Sequence, residues 1–168
     1  MPQVVLIHPE IPPNTGNVAR TCAATQTALH LVEPLGFEIN DRQLRRAGLD
    51  YWPLVDLHRH QDLAAFQASA RTAGGRLVAL SASGEQAYSR FCFRPDDWLL
   101  FGCETRGLPE SLLPQTDALL VIPMSGAASS GAPGVRSLNL SVAVGVVLFE
   151  ALRQLDSLSV TAIPQSYS

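Results

Sequence analysis

Residues 14–20, which read NTGNVAR, form the first of three segments whose residue types could bind a ligand or assist a reaction. The segment opens a helical pattern, and the free backbone N–H groups of a helix N-terminus suit an anionic or polar ligand. Arg20 lies one helical turn beyond Gly16, within reach of a phosphate at the same helix end. The segment is also typical of an ordinary capped helix with a surface arginine.

A second candidate segment ends an apolar run and reads LLFGCETRGLP over residues 99–109. Gly102 and Gly107 bracket Glu104 and Arg106, so the backbone can bend to place amide and carbonyl groups around a flat ligand. The same pattern fits a tight strand-to-helix turn with a solvated ion pair. Residue types alone leave both interpretations open.

A third candidate segment joins IPM at residues 122–124 to RSLNLS at residues 136–141, through a stretch rich in Gly, Ala, Ser and Pro. Ser137 or Asn139 can cap the helix that follows, and either side chain can also contact a ligand. The chain has no Walker A, GxGxxG, HExxH, GxSxG or paired-carboxylate motif. The residues alone therefore predict an enzyme or a binding module with three ligand loops.

The elements that must position these segments alternate between strand and helix. Apolar runs predict strands at residues 4–7, 28–32, 77–80, 98–101 and 118–122. Residue spacing and capping signals predict helices at residues 15–25, 41–47, 62–70 and 140–155. We expect Pro12 and Pro13 to prevent an earlier start of the first helix and Asn14 to cap it. The alternation indicates an α/β fold with a mostly parallel sheet flanked by helices, in which ligands bind at the carboxyl ends of the strands.

The chain length and the lack of a dividing linker predict one domain over residues 1–156, followed by a flexible tail over residues 157–168. The last predicted helix is apolar on all sides along its first turns, so every side of it must be covered. A second subunit can supply that cover, which favours a homodimer through this helix. Burial within one subunit is the alternative.

Composition limits the partners and the compartment. The formal net charge of −3 does not favour a general electrostatic attraction to nucleic acid, so positive charge for an RNA partner must be local or come from two subunits. All twelve basic residues are arginines, which suits bidentate binding of phosphate and also fits a codon bias. Three cysteines without a CxxC or Cys/His cluster predict neither a disulfide framework nor a metal site. Without a signal peptide or a bilayer-spanning stretch, we expect a soluble, cytoplasmic protein with no membrane contact.

The order and spacing of the three segments resemble the SPOUT class of RNA methyltransferases. The matching stretches are NTGNVAR, LLFGCETRGLP, and IPM followed by VRSLNLSVAVGVVLFEAL. The longer stretches PEIPPNTGNVAR and EPLGFEINDRQLRRAGLDYW are similar to the bacterial tRNA 2′-O-methyltransferases that act on a wobble-position cytidine or uridine. The resemblance runs from about residue 4 to residue 155. It implies S-adenosylmethionine as cofactor, tRNA as partner, a homodimer and a trefoil knot near the C-terminus.

The resemblance also implies roles for individual residues. The cofactor contacts of the family fall on Leu80, Gly102, Ile122, Ser137 and Leu138. The arginine that the family places at the reacting 2′-hydroxyl falls on Arg20. The resemblance implies a general base at this position. Because a guanidinium normally stays protonated, the alternative is that Arg20 binds phosphate and stabilises developing negative charge, and both roles stay open. Glu104 is expected to orient Arg20, and Asn139 to help position the substrate.

Candidate RNA contacts are the side chains of Asn14, Arg42, Arg45 and Arg46. His58, Arg59 and His60 form a further candidate group, and a solvated surface is the alternative for both basic groups.

Residues 125–135, which read SGAASSGAPGV, form a longer loop than we expect for the family. They act either as a mobile lid beside the cofactor or as a bulge into solvent. Two other functions remain open: 2′-O-methylation of another tRNA or ribosomal RNA site, and a non-catalytic knotted RNA-binding module.

Overall fold

The computed structural model describes residues 1–37, 51–124 and 137–156. These residues contain seven strands and three α-helices. In chain order the elements are β1 (Gln3–Ile7), α1 (Pro12–Thr25), β2 (Leu29–Val32), β3 (Leu57–His60), α2 (Leu63–Ala73), β4 (Leu77–Leu80), β5 (Gln86–Ala87), β6 (Trp98–Phe101), β7 (Ala118–Val121) and α3 (Leu140–Gln154). The helix predicted at residues 41–47 and the tail predicted at residues 157–168 lie outside the described residues.

The seven strands form one sheet in the order β3-β2-β1-β6-β4-β7-β5, and every neighbouring pair is parallel. The predicted α/β class with a mostly parallel sheet is confirmed. From β1 the chain first builds outward to β3, and the later strands are added on the other side of β1. Such a reversal of direction leaves a crevice at the carboxyl ends of the strands, where ligands bind in open α/β sheets.

Both faces of the sheet are covered, as the alternation of side chains along β1 shows. Val4 and Leu6 pack in the cluster that contains residues of α1 and α3, whereas Val5 and Ile7 pack with Phe66 of α2. These four side chains of β1 are fully buried. The sheet is therefore a rigid support, and the loops at its carboxyl edge take their positions from it.

Helix α1 begins earlier than the sequence predicts. It starts at Pro12, and its N-cap is Ile11, which makes no side-chain capping bond. Proline is tolerated in the first turn because the N–H that it lacks has no partner within the helix. The predictions that Pro12 and Pro13 exclude helix and that Asn14 is the cap are both wrong. Asn14 instead lies inside the first turn and is buried.

Strand β3, with sequence LHRH, is the strand that the sequence analysis misses most clearly. Its alternation sends His60 toward the core, where His60 Nε2 lies 2.9 Å from Nδ1 of the buried His30. The exposed Arg59 donates a hydrogen bond of 2.6 Å to Glu33 on the opposite face. His58 pairs with Asp56 at 3.0 Å. The interpretation of this group as RNA contacts is therefore wrong for the buried His60. His58 and Arg59 already have protein partners.

Candidate active site

A cavity of about 540 Å³ opens at the carboxyl ends of β4, β6 and β7. Its wall contains the last residue of β4, the residues that follow β6 and β7, and the residues that precede α3. All five positions that the family resemblance assigns to the cofactor line it: Leu80, Gly102, Ile122, Ser137 and Leu138. The sheet register explains the clustering, because Leu80 lies beside Phe101 of β6 and Leu120 of β7.

The cavity wall combines apolar side chains with main-chain groups. Leu80, Ile122 and Leu138 supply half-buried apolar surface, and Ser81 and Ser137 supply hydroxyl groups. Backbone N–H and C=O groups become available where each strand stops pairing. A few convergent polar groups on an otherwise apolar wall suit a ligand with a flat ring and polar substituents.

Gly102 and Gly107 are required by two different features of the turn after β6. A Cβ on Gly102 would lie 2.0 Å from the carbonyl carbon of Gly107 and 2.2 Å from the amide nitrogen of Leu108, so only glycine fits. Gly107 has φ +72°, a conformation that side chains disfavour. Between them, Cys103 and Gly107 exchange backbone hydrogen bonds of 3.2 and 3.0 Å. The turn that carries Glu104 is therefore closed on itself and positioned by the backbone.

Glu104 ties this turn to the start of α1. Its Oε2 accepts a hydrogen bond of 2.8 Å from the backbone N–H of Glu10. Its Oε1 accepts bonds from the backbone N–H of Ile11 at 3.3 Å and from Asn14 Nδ2 at 2.9 Å. Burial by itself raises the pKa of Glu104, but the hydrogen bonds from Asn14 and from backbone N–H groups outweigh it, and the net pKa is lowered. Glu104 is therefore a fixed carboxylate.

Asn14 connects Glu104 to the start of α3. Its Oδ1 accepts a hydrogen bond of 2.9 Å from Asn139 Nδ2. Asn139 is the N-cap of α3, and its Oδ1 accepts from the backbone N–H of Ser141 at 2.9 Å. The predicted capping role thus falls on Asn139, and the chain Glu104–Asn14–Asn139 joins two helix N-termini at the cavity. Asn14 is 6% exposed and uses both ends of its carboxamide, which favours a positioning role over direct contact with RNA.

A second bridge runs in the opposite direction and was missed by the sequence analysis. The carboxylate of Glu10 accepts hydrogen bonds from the backbone N–H of Thr105 at 3.2 Å and from Thr105 Oγ1 at 2.9 and 2.8 Å. Glu104 therefore accepts a backbone hydrogen bond from Glu10, and Glu10 accepts one from Thr105, the neighbour of Glu104. The two glutamates lie ninety-four positions apart in the sequence. The only hint in the sequence is the stretch PEIPP, whose glutamate stands two positions before the first helical residue.

Arg20 lies outside the hydrogen-bond network of Glu10, Glu104, Asn14 and Asn139. It is exposed on α1, and its guanidinium carbon lies 5.1 Å from the centroid of the Tyr51 ring. It is absent from the cavity wall, and within the described part of the chain Glu104 is bonded to Glu10, Ile11 and Asn14 rather than to Arg20. Within one protomer, the hydrogen bonds of Glu104 therefore do not support the hypothesis that Glu104 orients Arg20.

Arg42, Arg45 and Arg46 lie outside the described residues. No cluster of three or more His, Cys, Asp or Glu side chains with the geometry of a metal site occurs among residues 1–37, 51–124 and 137–156. In the same ranges, no helix has the length and hydrophobicity needed to cross a membrane.

Comparison with known proteins links this arrangement to a family. The model of the SpoU rRNA Methylase family matches residues 1–149. A relative from Escherichia coli (strain K12), named tRNA (cytidine(34)-2'-O)-methyltransferase, is 48% identical over 160 residues, covering 92% of this chain and 94% of the relative.

Two solved structures extend the match to three dimensions. One, described as "Structural insights into the 2-OH methylation of C/U34 on tRNA", has a TM-score of 0.82 and 51% identity, and the match covers 94% of this chain and 98% of that chain. The other is an AdoMet-bound rRNA methyltransferase from Sinorhizobium meliloti, with a TM-score of 0.79 and 31% identity over 94% of this chain and 57% of that chain. On the family match and these whole-length similarities, the protein belongs to the SpoU rRNA methylase family.

Proposed function

We propose that this protein transfers the methyl group of S-adenosylmethionine to the ribose 2′-hydroxyl of the wobble nucleotide of tRNA, a cytidine or modified uridine, in the cytoplasm and without a metal ion. One observation carries the proposal. Five residues from four separate segments, at the positions that the family resemblance assigns to the cofactor, line one cavity beside the Glu104 network. The relatives that match nearly the whole chain are named for this reaction.

The cavity fits the cofactor in size and chemistry. Its volume of about 540 Å³ lies within the range of small-molecule sites, roughly 300–1,000 Å³. Leu80, Ile122 and Leu138 offer apolar surface to an adenine ring, and the strand ends offer main-chain groups to its polar edge. When bound, S-adenosylmethionine supplies a methyl group on a positively charged sulfur, which is already activated for transfer.

The residues of this chain then have the task of alignment. The tight turn after β6, closed by Gly102 and Gly107, forms one side of the cavity. The hydrogen bond that Glu104 accepts from Asn14 and the one that Asn14 accepts from Asn139 keep the N-termini of α1 and α3 in place around it, and Asn139 lines the cavity. Holding two reactants in register contributes about 7–11 kcal/mol to the lowering of a reaction barrier.

Arg20 is assigned to the RNA side of the reaction. A guanidinium stays protonated, so Arg20 binds a phosphate and stabilises the negative charge that develops on the 2′-oxygen. Because Arg20 is not in the wall of its own cavity, we assign it to the cavity of a partner protomer.

The dimer that this assignment needs is supported by an apolar stripe on α3. Val142 and Phe149 are 50% and 48% exposed, and Gly145 and Val146 lie between them at helical spacing. A Cβ on Gly145 would meet nothing within 4 Å in one protomer. In an isolated chain Gly145→Ala would stabilise the helix by about 0.5–1 kcal/mol, whereas at a close helix contact it would weaken association. Sedimentation of the wild type, Gly145→Ala and Phe149→Asp distinguishes an isolated chain from a dimer that packs through α3.

Methyl transfer from labelled S-adenosylmethionine tests the reaction. The substrate is total tRNA from a strain that lacks the gene, followed by nucleoside mapping. A 2′-O-methylated nucleoside at the wobble position is the expected product. Arg20→Ala should lose activity, and Arg71→Ala is the matched control, because Arg71 is exposed at the far end of α2.

Two negative results have distinct meanings. Cofactor binding without wobble methylation would redirect the function to another tRNA or ribosomal RNA site. Loss of both cofactor binding and methylation would favour the non-catalytic module.

A further inference from the structure

Tyr51, which the proposed reaction leaves without a role, places its aromatic ring against α1. Tyr51 lies alongside the helical turn that runs from Gly16 to Arg20. Its hydroxyl donates a hydrogen bond of 2.8 Å to the backbone carbonyl of Gly16. Its ring centroid lies 5.1 Å from the guanidinium carbon of Arg20. One side chain therefore contacts both ends of the turn that carries Arg20.

The ring of Tyr51 is held more firmly than the arginine above it. Tyr51 is half-buried, packs against the core cluster that contains residues of α1 and α3, and immediately precedes the short 3₁₀ helix Trp52–Leu54. Arg20 is exposed, and among the described residues no carboxylate pairs with its guanidinium. A long exposed side chain has many rotamers, and a cation within about 6 Å of an aromatic face is attracted to that face.

We propose that Tyr51 is a positioning residue that restricts Arg20 to the conformations from which it reaches the RNA. The hydroxyl bond to Gly16 sets the ring along the helix, and the ring then limits the movement of the guanidinium. This inference rests on the proposed function, in which Arg20 acts at the reacting 2′-hydroxyl. It adds a residue to which neither the family pattern nor the cavity assigns a part.

Substitutions at Tyr51 separate positioning from simple packing. Tyr51→Leu removes the aromatic face, and we expect kcat for tRNA methylation to fall about 3- to 30-fold. Tyr51→Phe keeps the face and loses only the hydroxyl bond, so it should retain most of the activity. The Kd for S-adenosylmethionine should not change in either variant, because Tyr51 does not line the cavity and Arg20 is assigned to the RNA side of the reaction.

The decisive measurement is a double-mutant cycle on single-turnover methylation, with Tyr51→Leu made in the wild type and in Arg20→Gln. If Tyr51 acts through Arg20, the Leu substitution costs less than about twofold once the guanidinium is gone. Trp52→Leu is the control, since Trp52 packs on the same core and should lower Tm without any dependence on Arg20. If Tyr51→Leu does not fold, Tyr51→Met takes its place in the cycle.

Two results would overturn the inference, and they can be told apart. Equal fold-losses from Tyr51→Leu in both backgrounds would make Tyr51 a structural residue and leave the role of Arg20 intact. Full activity of Arg20→Gln would remove the role of Arg20 from the proposed function and that of Tyr51 with it.

Discussion

Replacing Glu104 with glutamine should weaken the connection between the turn after β6 and the start of α1. The carboxylate accepts on both oxygens: Oε2 from Glu10 N–H, and Oε1 from Ile11 N–H and Asn14 Nδ2. A glutamine NH₂ group at either place sets a donor against a donor. It therefore loses at least one hydrogen bond to a charged group, and bonds of that kind are each worth about 1.5–3 kcal/mol.

The size of the effect follows from the partial exposure of the site. Water can reach a half-buried carboxylate and satisfy some of the abandoned donors, so we expect Glu104→Gln to cost about 2 kcal/mol of unfolding free energy. For a domain of this size that corresponds to a fall in Tm of about 4–8 °C. Glu110→Gln is the matched control, because Glu110 is an exposed carboxylate a short distance along the chain and should change stability by less than about 0.5 kcal/mol.

Denaturant unfolding at one fixed protein concentration measures the difference, and a cycle with Asn14→Ala measures the coupling. We expect a coupling of about 1 kcal/mol between Glu104 and Asn14, which share a bond of 2.9 Å. Because the folded pKa of Glu104 is lowered, its contribution is present above the unfolded pKa and is lost as pH falls through the folded value. The gap between wild type and Glu104→Gln should therefore close in acid. Additive costs, or a gap independent of pH, would refute this reasoning.

Three further predictions concern other parts of the fold. Burial, followed by the charges of His58 and His60, lowers the pKa of His30 from 6.5 to about 3. The unfolded chain then binds a proton that the folded chain excludes, so stability should fall by about 1.4 kcal/mol per pH unit as pH drops below 6.5, and an unchanged slope in His30→Gln would count against this. Gly102→Ala should weaken S-adenosylmethionine binding at least tenfold by calorimetry, because its Cβ would lie 2.0 Å from the backbone of Gly107, and retained affinity would show that the turn can move. A thiol reagent should label the native protein once, at the exposed Cys92, because Cys103 is buried and burial raises the pKa of Cys22 to about 12; rapid labelling that persists in Cys92→Ser would contradict this.

The sequence determined the elements whose pattern is strong and local. The strands at residues 77–80 and 98–101 were predicted with their observed bounds, because each is a short apolar run flanked by residue types that terminate a strand. The last helix begins where it was predicted, with Asn139 as a cap that its residue type already suggested. The ordered motifs also identified the family, and with it the residues that the sheet brings to one cavity.

Where local signals were weak, the sequence failed for identifiable reasons. Strand β3 reads LHRH, without the β-branched or aromatic run that marks a strand, and it forms because β2 offers it a parallel edge. The first helix starts at Pro12, because a proline at the first helical position costs no hydrogen bond and the tertiary bonds of Glu104 satisfy N–H groups beside it. The loop over residues 125–135, interpreted as a mobile lid or a bulge, lies outside the described residues.

Only the tertiary structure decided which polar groups meet. Glu104 bonds to Asn14 across ninety positions, and Asn139 bonds to Asn14 across one hundred and twenty-five. Tyr51, not Glu104, is the neighbour of Arg20 within one protomer. Sequence patterns report on the burial and periodicity of each element separately. Such partnerships depend instead on the order of the strands in the sheet, because the order decides which loops share its carboxyl edge.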